Sequence, residues 1–223
     1  MEAAEIYAAC RARLLDVAST LSSEQLAAPL SPTPPWTVLD GYRHLAGVCA
    51  DVLDGHMDGA GSPEWTAAQL ATRAGASIDD VCAEWSARGP ELEARVAEAG
   101  RAMAFTAFDV WTHEQDIRAA VGLGGVRDDA LVPALAALTL ATFGGRYSSG
   151  GAPPVTIVVD GAAQVLGDGE PVATLDTSSY ELLRIIFGRR SEGQITAARW
   201  SGDCAEPIKA IHLFDPPPRD ISD

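Results

Sequence analysis

Basic charge is what this sequence lacks most. Its 16 Lys and Arg are set against 31 Asp and Glu, for a formal net charge of −15, and Lys209 is the only lysine. Binding to nucleic acid or to an anionic membrane needs a basic footprint, so neither partner is expected, and the acidic surplus reads as a solvated surface. No apolar run approaches the ~20 residues that span a bilayer. The N-terminal stretch MEAAEIYAACRARLLDVA carries acids where a secretory signal carries positive charge. Cysteine is sparse and scattered, at 10, 49, 82 and 204, with no CxxC pair, which excludes a disulfide framework and a thiolate zinc knuckle. These absences predict a soluble cytoplasmic protein with reduced thiols. Aromatic residues make up only 6% of the chain, whereas alanine is abundant, and alanine has the highest intrinsic helix propensity. Abundant alanine, with arginine in place of lysine, also fits a GC-rich bacterial genome.

The periodicity is helical from about residue 2 to 143. Ile6, Cys10, Leu14 and Val17 share one face of a first helix, and the proline-rich PLSPTPP connects it to Trp36. Thr37 opens a second helix with Leu39, Tyr42, Leu45, Val48 and Val52 inward, closed by Gly55. Ser62-Pro63-Glu64 and Ser77 with Asp80 mark two further starts, and Gly89-Pro90 is expected to kink or split the helix that follows. Residues 101–121 and 128–143 complete a bundle. The Gly/Ser/Pro-rich GGRYSSGGAPP then reads as a domain boundary. Beyond it lie strand signals in VTIVVDG, PVATLDT and AARWSGD, a helix YELLRIIFGRR capped by Ser178 or Ser179, and a final short helix. The tail HLFDPPPRDISD reads as extended and loosely held. The expected fold is thus α+β, with a helical bundle over 1–146 and a small α+β domain over 154–223.

Histidine is scarce as well, at positions 44, 56, 113 and 212. In FDVWTHEQDIR, Asp109 and His113 are four apart and project from one helix face. His44, on another helix, could add a third ligand, and three protein ligands with an open position describe a catalytic divalent site. A D-x3-H pair equally describes a surface hydrogen bond, and Asp40 and His44 show the same spacing, so spacing alone leaves both readings open. His56 and His212 read as exposed and Cys49 as core. Glu114 is adjacent to His113 and cannot share its face. Arg189 and Arg190, just past a helix, could neutralise an anionic substrate or form a solvated pair.

Three segments carry a resemblance. PPWTVLDGYRHLAG resembles the second-helix motif of the DinB-like metal-binding bundles, a tryptophan followed eight residues later by a histidine. FDVWTHEQDIRAAVG is similar to the E-x3-H-x2-D-x-R helix of the mycothiol-dependent maleylpyruvate isomerase family, a branch of those bundles. GEPVATLDTSSYELLRIIFGRRS followed by WSGD resembles the C-terminal domain of that family, with its Gly-Arg and Ser-Gly-Asp signatures. The match is collinear over nearly the whole chain. It implies a DinB-like bundle with His44 as first ligand and His113 as third. Asp109 takes the place of the family's glutamate, one methylene shorter, so a metal must sit closer to that helix. Asp116 and Arg118 match the D-x-R and are implied as supports behind the ligands. The resemblance further implies zinc and mycothiol, the small thiol of actinobacteria, acting as isomerase or S-transferase on a small electrophile. A zinc-dependent hydrolase and a non-catalytic binding protein are the alternatives on the same bundle.

Overall fold

Serine and threonine side chains answer otherwise unpaired N–H groups at the starts of the second to fifth of the six helices that precede residue 121. In the computed structural model, which describes residues 1–223, these are α1 (Ala3–Ala18), α2 (Ser23–Leu26), α3 (Val38–Asp54), α4 (Pro63–Thr72), α5 (Ile78–Ala99) and α6 (Phe105–Ala120), the last preceded by a 3-10 turn, Gly100–Met103. Thr37 and Asp40 form a reciprocal capping box at the head of α3, as Ser77 and Asp80 do for α5. Asp40 also receives Arg43 at 3.1 Å. The Asp40–His44 pair, identical in spacing to Asp109–His113, is therefore spent on a helix start.

The four long helices α1, α3, α5 and α6 pack side by side, with α1 and α3 each touching both α5 and α6. Ile6, Cys10, Leu14, Val38, Tyr42, Trp85, Leu92 and Trp111 are essentially solvent-free and form the core. Polar atoms carried inside find partners, with Trp85 Nε1 donating to the Tyr7 hydroxyl and the Tyr42 hydroxyl to the Leu14 carbonyl. Gly89-Pro90 does not split the helix, which runs unbroken from Ile78 to Ala99. Val81 and Trp85 before it, and Leu92 and Val96 after it, are buried on one face, and that packing outweighs the single hydrogen bond Pro90 cannot make. Gly89 serves α1 instead, since a Cβ there would stand 2.5 Å from Arg11 Nε.

The chain divides into two compact units, Met1–Gly125 and Val126–Ser222. The second holds α7 (Leu131–Ser149), β1 (Val155–Val159), β2 (Ala162–Leu166), β3 (Ala173–Thr177), α8 (Ser179–Ile186), α9 (Glu192–Thr196), β4 (Arg199–Gly202) and α10 (Ala205–Ala210). The fold is α+β, as expected. The sheet order is β2-β1-β3-β4, with β1 and β3 parallel and both edge pairs antiparallel. Asp160 and Gly161, both at positive φ, make the two-residue turn between β1 and β2. Strand β2, with exposed Ala162, Ala163 and Gln164, gave no alternating signal and was not anticipated.

Two segments depart from the expected pattern. Helix α7 continues through Gly144-Gly145 to Ser149 because Phe143 and Tyr147 are buried and α7 packs on α8 and β2. It therefore belongs to the second unit, and the units part upstream of the Gly/Ser/Pro-rich stretch. The tail is pinned rather than loose. Ile221 is buried, its N–H and carbonyl are both taken by the Gln194 amide, and Ser191 Oγ donates to Asp220.

Arg189 and Arg190 are buried rather than solvated. Arg190 pairs with Glu181, which also receives Arg127. Burial pushes the Glu181 carboxyl upward, but hydrogen bonds from Arg190 and Arg127 outweigh it and hold the group below its ordinary value of 4.5. A depressed carboxyl contributes stability that is present above the unfolded value and is lost as pH falls through the folded one. Thermal melts between pH 7 and pH 3 are expected to show Glu181→Gln less stable at neutrality, with the gap to the wild type closing below about pH 4.5. Parallel curves would contradict this pairing.

Candidate metal centre

His44 sits on the second turn of α3 and Asp109 and His113 on one face of α6, two helices in contact within the bundle. Their ligand atoms all lie within 4.8 Å of one another. Asp109 Oδ1 is 3.4 Å from His44 Nε2 and 3.7 Å from His113 Nε2. Donors bound about 2.1 Å from one tetrahedral ion lie about 3.4 Å apart, so the three side chains need only small movements to share a cation. Two imidazole nitrogens and one carboxylate oxygen are a donor set that suits zinc. The histidine side chains are 6% and 7% exposed and Asp109 27%, so the carboxylate marks the open side.

Trp36 covers the pair. Its ring centroid is 5.0 Å from that of His44 and 5.8 Å from that of His113, stacked on the latter at 28°. The backbone of Trp36 is fixed by its carbonyl accepting from Leu30 N–H and its own N–H donating to the Thr33 carbonyl. The tight PTPPW turn thus delivers an indole onto the imidazoles and keeps water off one side of them.

Behind the ligands stand further polar groups. Asp116, fully buried at its side chain, places Oδ2 3.4 Å from His113 Nδ1. On the other side, His44 Nδ1 lies 2.7 Å from Gln69 Oε1, and Gln69 Nε2 donates to Asp51 Oδ2 at 2.7 Å. Gln69 is 2% exposed. It reaches α3 because Gly47 leaves room, since a Cβ there would stand 2.7 Å from Gln69 Cβ.

The structure brings His44, Asp109 and His113 together and sets Asp116 behind His113. Arg118 turns elsewhere, donating through Nε to the Gly124 carbonyl and holding the loop after α6. Glu114 faces α1, where Arg13 grips it with two hydrogen bonds. His56 has a side chain 73% exposed and stays outside the cluster. Cys49 is core, with its thiol pushed up by burial. Arg189 and Arg190 belong to the second unit, where Arg190 is paired with Glu181. Gln69 and Asp51 escaped the sequence reading because an isolated glutamine in an ordinary helix carries no spacing signal. Trp36 was visible only as part of a motif.

No protein-family model matches the chain, and no curated protein matches it by sequence. Among solved structures it is similar to the mycothiol-dependent maleylpyruvate isomerase, at 13% identity with a TM-score of 0.56, covering 92% of this chain and 94% of that one. A histidine-to-alanine mutant of that isomerase matches at 14% identity with a TM-score of 0.55 and the same coverage. At that identity the likeness shows a shared fold over nearly the full length. No helix of the chain is long and apolar enough to cross a membrane.

Proposed function

We propose that this chain is a metal-dependent enzyme that uses mycothiol to isomerise or conjugate a small electrophile of the maleylpyruvate type. The convergence of His44, Asp109 and His113 carries the reading, on a fold shared with an isomerase that depends on that thiol. A divalent cation such as zinc, when bound, lowers the pKa of a thiol from about 8.5 and supplies thiolate at neutral pH.

The chain's own residues do the rest. His44 and His113 offer neutral nitrogens and Asp109 one negative oxygen, so the donor set leaves net positive charge to favour an anionic sulfur. Trp36 shields the histidines from water, which strengthens electrostatic interactions there. Addition of the thiolate sulfur to one carbon of a conjugated double bond moves the electron pair onto the carbonyl oxygen. The former double bond is then single and rotates. Return of the electron pair expels the sulfur and gives the isomer, whereas uptake of a proton keeps the thioether, the product of an S-transferase. Rotation and expulsion of the sulfur need no further acid or base, and the proton that keeps the thioether comes from solvent.

The test is turnover of a maleylpyruvate-type substrate with and without mycothiol, on zinc-loaded and chelator-treated protein. Product is expected only where thiol and metal are both present. Turnover by the loaded protein without thiol would favour a hydrolase using zinc-bound water, and equal turnover after chelation would remove the metal from the reaction.

A further inference from the structure

The hydrogen bonds behind His44 fix the position of its ring proton. A carboxylate can only accept, so the Gln69 nitrogen must be the end that faces Asp51, at 2.7 Å. The Gln69 oxygen then faces His44 Nδ1, also at 2.7 Å. A carbonyl oxygen likewise only accepts, so Nδ1 carries a proton, and in the neutral ring that binds a cation the Nε2 lone pair faces Asp109 Oδ1 and His113. The opposite tautomer would set two lone pairs against each other at Nδ1 and block Nε2 with a proton. Burial of Gln69 sharpens the choice, because a mispaired amide 2% exposed has no water to turn to.

We infer that Gln69 is a positioning residue for the metal centre, its amide oriented by Asp51 so that His44 is held as the Nδ1–H tautomer with Nε2 ready to bind a cation. The inference rests on the reading of His44, Asp109 and His113 as metal ligands. It extends that reading to a helix, α4, that supplies no ligand. Three features of the fold serve the arrangement. Gly47 admits the Gln69 stem against α3. Arg73 Nη1 donates to the backbone carbonyl of Gln69 at 3.4 Å, and Arg73 is itself anchored by Glu84. Asp51 lies on the same helix as His44, two turns on, so the amide bridges two side chains of α3 from outside.

Ring-nitrogen NMR of the metal-free protein reads the tautomer without any metal. The wild type is expected to show His44 protonated at Nδ1 and bare at Nε2, and Gln69→Leu to lose that bias. Zinc affinity by chelator competition is expected to fall about 10- to 100-fold in Gln69→Leu, the usual cost of removing a partner behind a metal-bound histidine. Gln69→Glu alone sets two carboxylates face to face and is expected to weaken zinc binding as well. Combining it with Asp51→Asn interchanges acid and amide, lets position 69 still accept from Nδ1–H, and is expected to restore affinity close to the wild type. That double variant keeps the test decisive if the leucine variant fails to fold. A wild-type His44 protonated at Nε2, or full zinc affinity in both single variants at position 69, overturns the inference. A wild type that binds no zinc yet shows the Nδ1 proton supports the positioning and strikes only the metal reading.

Discussion

Replacing His113 by alanine is expected to abolish metal binding, taking the purified protein from about one divalent ion per chain to essentially none. The reason is geometric. His44 and Asp109 alone would leave two protein donors on different helices, and a two-donor site loses the ion to buffer and chelator. His44→Ala should have the same effect. Asp109→Asn should weaken binding less completely, because a neutral amide oxygen is a poorer donor than the carboxylate 3.4 Å from His44 Nε2. His56→Ala is the control, since that side chain is 73% exposed and stands outside the cluster. Elemental analysis of all four variants checks the assignment, and equal metal in His113→Ala and His56→Ala would refute it.

The second large effect concerns stability rather than the site. Arg13 of α1 holds Glu114 of α6 through Nε and Nη2, at 2.5 and 2.7 Å, and the Glu114 side chain is only 1% exposed. Truncating Arg13 strands a buried negative charge, a change that costs about 3–5 kcal/mol in fully buried pairs. The Arg13 side chain is 27% exposed and water can partly replace it, so Arg13→Ala is expected near the low end, about 3 kcal/mol. A melting temperature lower by roughly 10 °C would accompany that loss. Exchanging both partners for apolar residues, Arg13→Met with Glu114→Leu, removes the charge together with its partner and is expected to fall within about 1 kcal/mol of the wild type. If Arg13→Ala melts with the wild type, the pair contributes nothing to the bundle.

How much of this was legible in the sequence follows from which interactions are local. Helix starts at Thr37, Ser62, Ser77 and Ser178 were readable because a cap and its N–H lie within three residues of each other. The Asp160-Gly161 turn and the strands β1, β3 and β4 were readable from β-branched runs and turn residues. What failed depended on distant packing. Pro90 reads locally as a breaker, but buried residues on both sides of it keep α5 continuous. The Gly144-Gly145 pair was read as the start of a linker, but Phe143 and Tyr147 carry the helix through it. The tail looked free because Gln194, its anchor, is 27 residues upstream of Ile221. At the site, the D-x3-H spacing placed Asp109 and His113 on one face, yet Asp40 and His44 offered the same pattern. The resemblance singles out Asp109, and the structure gives the physical reason, with Asp40 committed to Thr37 and Arg43. Gln69 had no local signature at all, since its partners His44 and Asp51 lie 25 and 18 residues away.

On the proposed reading, His44, Asp109 and His113 hold a cation that takes up a thiol and removes its proton. Calorimetry of mycothiol binding in two buffers of different ionisation enthalpy tests it most directly. Mycothiol is expected to bind the zinc-loaded protein with an apparent enthalpy that shifts between buffers by the amount one released proton requires, and not to bind once the metal is stripped. Mycothiol binding equally well to the stripped protein, or binding the loaded protein with no proton released, would contradict it.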